Sequence, residues 1–190
     1  SAITYTYDDA GRRTRTTGPL SGFVYTDYVY DNLGRLISVT DPSDLETVYS
    51  YDAVGNLIES KQIDTWAMTG EGITNAYSYN AAGQLVSSTD PRGYTTDYAY
   101  NNRGQLTVTT FPDPDGASGS MARPQAINTY DNMGRRIAVT DHMGRATQYA
   151  FDSRSRITQI TQPDPDGTGG LFAPVTSFSY DSAGRVTSVT

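Results

Sequence analysis

One six-residue pattern, aromatic–Asp/Asn–x–x–Gly–Arg/Gln/Asn, occurs eight times in this 190-residue chain and limits what it can fold into. The copies begin at Tyr7, Tyr30, Tyr51, Tyr79, Tyr100, Tyr130, Phe151 and Tyr180. The second position holds Asp8, Asp31, Asp52, Asn80, Asn101, Asp131, Asp152 and Asp181. The fifth holds Gly11, Gly34, Gly55, Gly83, Gly104, Gly134 and Gly184, with Ser155 in the seventh copy. After a first step of 23 residues, steps of 21 alternate with steps of 28, 30 and 29, giving a double unit of about 50 residues. Recurrence at a set period is the mark of a repeat architecture.

The pattern reads as a hairpin corner. An Asp or Asn at the first turn position can bond its own backbone two residues on. Gly at the fourth position supplies the positive φ that a type I turn followed by a G1 bulge requires. Ser155 breaks that rule, which predicts strain or a different turn there. Each 21-residue step carries a second turn signal: Asp41-Pro42-Ser43-Asp44, Asp90-Pro91-Arg92-Gly93 and Asp141-His142-Met143-Gly144. The longer steps carry loops. Two of these are near copies, Pro112-Asp113-Pro114-Asp115-Gly116 and Pro163-Asp164-Pro165-Asp166-Gly167, and a third runs from Trp66 to Gly72.

The flanks alternate as strands do. Tyr28-Val29-Tyr30 and Tyr49-Ser50-Tyr51 precede their turns, and aromatics two apart share one strand face. Leu36-Ile37-Ser38-Val39-Thr40 follows one turn and Ile137-Ala138-Val139-Thr140 another, both rich in strand formers. No stretch shows helical periodicity. The expected fold is all-β. About sixteen short strands form tandem hairpins in a long, curved, mostly antiparallel sheet, a single repeat array over 1–190 without a separate catalytic domain. Tyr rows at the same point of each hairpin are expected to stack as aromatic ladders.

Composition supports a thin sheet over a thick core. Hydrophobic residues make up 36%, against roughly 45–50% in an average globular domain. Much of the apolar area is tyrosine, 15 Tyr against 5 Phe and 1 Trp, and a tyrosine hydroxyl needs water or a partner. Net charge is −7, with one lysine, Lys61, and the arginines dispersed among carboxylates. That distribution argues against nucleic acid. No apolar run reaches the roughly 20 residues of a membrane-spanning helix. The chain has no cysteine, which excludes disulfides, thiolate metal sites and cysteine nucleophiles. No signal peptide opens it, so any export signal is expected elsewhere.

Few residues suggest chemistry. His142 is the one histidine a Ser-His-Asp triad could use, and it stands in a turn. Asp113 with Asp115, and Asp164 with Asp166, are weak calcium candidates; their loops lack the pattern of an EF-hand. Otherwise no cofactor and no catalytic residue is expected. The turn carboxylates recur with the repeat, as structure does, so they do not read as a glycosidase pair. Tyr rows with Arg12, Arg35, Arg135 and Arg185 could stack on sugar faces and bond hydroxyls. The competing reading is that the rows are the sheet's own packing and the arginines pair with turn carboxylates.

Tyr30-Asp31-Asn32-Leu33-Gly34-Arg35-Leu36 with Thr40-Asp41-Pro42, and Thr89-Asp90-Pro91-Arg92-Gly93, resemble the motif of the Rhs or YD-repeat family. The resemblance covers the whole chain. Relatives include bacterial Rhs toxin shells, C subunits of insecticidal toxin complexes, wall-associated proteins and teneurins. The resemblance implies a β-sheet strip that spirals into a hollow shell. It also implies a secreted or cell-surface location, bacterial in origin. The segment that ends an Rhs shell and cleaves itself is lacking, as is a variable toxin tail, so those activities are not carried over. The expected function is a non-enzymatic scaffold, a segment of an extracellular shell. The alternatives are a unit of a filament or adhesin, or a carbohydrate-binding module. Expected partners are neighbouring repeats or identical subunits joined at sheet edges, an enclosed C-terminal cargo, or carbohydrate.

Overall fold

The computed structural model describes residues 2–18, 24–64, 72–116, 119–167 and 169–190. Most of the loop that begins at Trp66 lies outside them. Every regular element among the described residues is a strand. No helix among them is long and apolar enough to cross a membrane.

The chain divides into two compact units, Ser1–Tyr94 and Thr95–Thr190. The first holds β1 (Thr4–Tyr7), β2 (Arg13–Thr17), β3 (Tyr25–Tyr30) and β4 (Leu36–Thr40). It continues with β5 (Leu45–Tyr51), β6 (Leu57–Asp64), β7 (Ile73–Tyr79) and β8 (Leu85–Thr89). The second unit holds β9 (Thr95–Tyr100), β10 (Leu106–Thr110), β11 (Gln125–Tyr130) and β12 (Arg136–Thr140). It ends with β13 (Ala146–Phe151), β14 (Ile157–Thr161), β15 (Val175–Tyr180) and β16 (Val186–Val189). Within each unit every strand pairs antiparallel with its neighbour in sequence, the simplest topology a train of hairpins can take.

The corners are the expected turns. At Asp31 the backbone N–H donates to Arg35 O at 2.9 Å, and Gly34 N–H donates to Asp31 O at 3.0 Å. Gly34 has φ +82° and Gly134 φ +84°, in the left-handed region that a Cβ disfavours. Ser155 does not change the turn. It takes φ +62° and makes the same bonds, Asp152 N–H to Arg156 O at 2.9 Å and Ser155 N–H to Asp152 O at 3.0 Å. The expected departure there is strain in an unchanged corner.

One regularity has no sequence signal that we can name. At all eight aromatic–Asp/Asn corners the pairing slips by one residue just inside the turn, as between Val29–Ser38 and Tyr30–Leu36. The opposite corners show no slip: Ser38, Val39 and Thr40 face Val48, Thr47 and Glu46 in order. Bulges increase local twist, so the two ends of the hairpins differ mechanically.

No described hydrophobic residue is fully buried, and the one buried residue is Ser38, whose Oγ donates to Glu46 Oε1 at 2.6 Å. Described strands touch only their sequence neighbours. Stability is therefore a sum of hairpin and neighbour terms, as in other repeat arrays.

Candidate functional site

The recurring assembly of the molecule is built at the aromatic–Asp corner. Asp31 Oδ1 accepts the N–H groups of Leu33 and Arg35, both at 2.9 Å. These bonds complete the turn. Its other oxygen, Oδ2, accepts Arg35 Nε at 2.7 Å. The same pair forms at Asp8–Arg12, Asp131–Arg135, Asp152–Arg156 and Asp181–Arg185, each at 2.7 Å through Nε. Asp141–Arg145 repeats it at a short-step corner.

The arginine then reaches the next corner. Arg35 Nη1 donates to Asp52 O at 3.3 Å and its guanidinium lies 4.7 Å from the centroid of the Tyr51 ring. Tyr51 Oη donates back to Leu36 O at 2.8 Å. Arg12 does the same to Asp31 O and Tyr30, and Tyr30 Oη returns to Arg13 O at 3.0 Å. Arg156 covers Tyr180 at 4.4 Å, and Tyr180 Oη returns to Ile157 O at 2.7 Å. Arg135 covers Phe151 at 4.8 Å, and a phenylalanine has no hydroxyl to return. Each such contact over an aromatic ring adds about 0.5–1 kcal/mol at an exposed site.

This corrects the expected aromatic ladder. Motif aromatics recur on every second strand, so successive rings stand about 9.6 Å apart, beyond the roughly 4.5–7 Å of a ring pair. The guanidinium fills that gap. The ladder is Asp–Arg–Tyr, with the cation between the rings. At Tyr30, Tyr51, Phe151 and Tyr180 the guanidinium lies over one face of the ring. Of the four arginines considered for sugar binding, Arg12, Arg35 and Arg135 are thereby engaged, and Arg185 is tied to Asp181 with its side chain 82% exposed.

Where arginine is absent the corner changes. Asn56 Nδ2 donates to Asp52 at 2.8 Å, and Asn80 and Asn101 bond Gln84 and Gln105 at 3.0 and 3.1 Å. Gln105 Nε2 reaches Gly134 O at 2.7 Å, while Arg103 Nη1 donates to Asn132 O at 2.6 Å from inside the turn. Tyr130 Oη still returns to Leu106 O at 2.9 Å. Tyr7, Tyr79 and Tyr100 begin the remaining copies at the ends of their strands, and Gly11, Gly55, Gly83, Gly104 and Gly184 all hold positive φ.

The carboxylates are held below their ordinary range by the turn itself. For Asp131 the Arg135 backbone N–H is the leading cause and its guanidinium follows, against a desolvation that pushes upward. Asp8, Asp152 and Asp181 are lowered first by the backbone N–H of their own arginines. At Asp31 desolvation pushes up, and the Arg35 amide and guanidinium outweigh it. An acid that ionises this readily is poorly placed to give up a proton near neutrality.

The loop carboxylates also organise backbone. Asp115 Oδ2 accepts Ser120 and Met121 N–H at 2.8 and 3.1 Å, and Asp166 Oδ2 accepts Leu171 N–H at 3.1 Å. Asp113 Oδ1 and Asp164 Oδ1 accept the N–H of Asp115 and Asp166 at 3.3 and 3.2 Å. Among the described residues no group of three or more His, Asp or Glu is placed to hold a metal ion. His142 packs edge-on against Phe111, ring centroids 5.9 Å apart. Two arginine sites were not foreseen. Arg15 is bidentate to Asp27 at 2.5 and 2.6 Å across a register pair, and Arg123 holds a long loop to its strands.

These features define a class: a tandem-repeat β protein whose repeating polar assembly couples one hairpin to the next. A family model described as teneurin YD-shell matches residues 1–190. The chain belongs to that family, one of the YD-repeat group its motif resembles. A search of curated proteins finds no significant match in sequence. The fold is that of solved structures titled TcdB2-TccC3 and TcdB2-TccC3 without its hypervariable C-terminal region. Their TM-scores are 0.71 and 0.70, each at 16% identity over 97% of this chain. A Photorhabdus luminescens Tc holotoxin pore carrying a TccC3 mutation matches at TM-score 0.56 and 21% identity over 98%. This chain spans 11% of the length of each of those chains.

Proposed function

We propose that the chain is a non-enzymatic segment of an extracellular shell, a wall built by hairpins that lock onto one another. The observation that carries this reading is the Asp–Arg–Tyr corner. It commits the ionisable residues of the motif to bonds within the wall, where a catalyst would leave them free for a substrate. The YD-shell family and the likeness to Tc toxin structures support it. An enclosed cargo is the partner such a wall would serve. The test is electron microscopy of the protein expressed from its full-length gene. Closed shells with internal density are expected; solid particles with no lumen would defeat the reading.

No cofactor is proposed. Asp115 and Asp166 already spend an oxygen on loop N–H groups, which favours loops that hold their shape without calcium. Thermal melts in millimolar calcium and in chelator should coincide. A midpoint raised by calcium and lowered again by chelator would assign the ion to these loops.

A further inference from the structure

The two Pro-Asp-Pro-Asp-Gly loops differ in the residue before their closing proline, Arg123 in one and Ala173 in the other. One loop joins β10 to β11 and the other joins β14 to β15. The register equates the two ends of these loops. Thr110 faces Asp97 in the first, and Thr161 faces Gln148 in the second. Phe111 N–H donates to Pro124 O at 2.9 Å, and Gln162 N–H donates to Pro174 O at 2.8 Å. Arg123, just before the first closing proline, therefore corresponds to Ala173 before the second.

Arg123 fills a socket. Its Nε donates to Phe111 O at 2.8 Å and its Nη1 to Asp97 Oδ2 at 2.5 Å. Its Nη2 donates to Thr95 O at 2.6 Å and to Thr110 O at 3.3 Å. The equivalent acceptors in the second loop are the carbonyls of Gln162, Ala146 and Thr161 and the side chain of Gln148. The residues that carry them line an open cavity of about 330 Å³ with Ala173 in its wall. Among the described residues no side chain donates to these acceptors.

We propose that this cavity binds a guanidinium group from outside the chain, in the place that Arg123 fills one repeat earlier. The chemistry is selective. Three carbonyl oxygens and one amide oxygen, spread as they are around Arg123, suit a planar cation with five N–H donors in a fixed fork. An ammonium is a compact point donor and cannot span them. Asp164 also lines the cavity and adds negative charge. Arg145 lines it as well, but its Nε and Nη2 are engaged by Asp141 Oδ2 at 2.8 and 2.7 Å, so its charge is locally matched. The ligand group is carried either by an arginine side chain of a polypeptide or by a small guanidino compound. The inference does not depend on the shell reading.

The test is an NMR titration of the 190-residue chain with methylguanidinium, N-acetyl-arginine amide and N-acetyl-lysine amide. Methylguanidinium should shift the amides of Ala146, Gln148, Thr161 and Gln162, with a dissociation constant on the order of millimolar for so small a ligand. Tighter binding of the arginine amide, by about threefold or more, assigns a polypeptide source; equal binding assigns a small guanidino compound. The lysine amide should leave these signals in place. The Ala173→Arg variant should lose the response, because the chain then fills its own socket. The Arg123→Ala variant should gain a second response at Asp97 and Phe111. No shift at about 50-fold the expected constant, equal shifts with the lysine amide, or retained binding in folded Ala173→Arg would overturn the proposal.

Discussion

Gly134→Val is expected to destabilise the chain by about 2–3 kcal/mol, and Ser155→Gly to stabilise it by about 0.5–1 kcal/mol. The two changes act on the equivalent backbone position of two successive aromatic–Asp corners. Gly134 sits at φ +84°, and a Cβ built there meets Gln105 Nε2 at 3.3 Å. An L-residue in the left-handed region costs about 1–2 kcal/mol, and a β-branched side chain resists it further. The close approach to Gln105 adds to that, because Gln105 Nε2 also donates to Gly134 O at 2.7 Å and would have to give way.

Ser155 already bears the cost of a side chain at φ +62°. Glycine relieves it and returns part of the gain as extra freedom of the unfolded chain. Asp113→Ala should cost a small fraction of the Gly134 loss, because its one backbone bond is long, at 3.3 Å. Chemical denaturation with circular dichroism measures all three. Equal midpoints for Gly134→Val and Asp113→Ala would show that the corners do not govern stability.

Acid should unfold the chain cooperatively, and salt alone should not. Asp8, Asp31, Asp131, Asp152 and Asp181 are each lowered from 3.8 in the folded chain. Asp41, Asp52 and Asp141 are lowered as well. A lowered folded value means the fold prefers the charged carboxylate. The contribution is complete above the unfolded value of 3.8 and is lost as pH falls through the lower folded values.

The melting temperature should therefore hold steady from neutrality to about pH 5 and fall steeply below about pH 4. Screening weakens exposed pairs such as Asp141–Arg145. It leaves the carboxylate-to-amide bonds within each turn, which are the leading cause at Asp131. A melting temperature unchanged down to about pH 2 would show that the turn carboxylates contribute nothing to the fold.

Corner and scaffold were legible in the sequence for different reasons. Asp31, Gly34 and their repeats announced themselves because turn geometry restricts residue type locally. Strand order followed, since short connections between strands leave neighbours paired. The Tyr ladder was misjudged because strand alternation places Tyr28 and Tyr30 on one face but says nothing of the distance to the next motif aromatic, two strands away. The Arg123 latch was invisible for a related reason. Asp97 lies 26 residues before its partner, with no periodicity to mark the pair.

The amino-acid sequence alone determined the repeat, the corner chemistry, the antiparallel succession of strands and the absence of thiol chemistry. Each depends on forces acting within one hairpin or on composition. Only the tertiary structure decided what stands between the rings, that the pairing slips at one end of each hairpin, and that Arg123 ties one long loop to its strands. The first and last of these depend on distances between segments not joined by one turn, which residue order does not encode by any local rule.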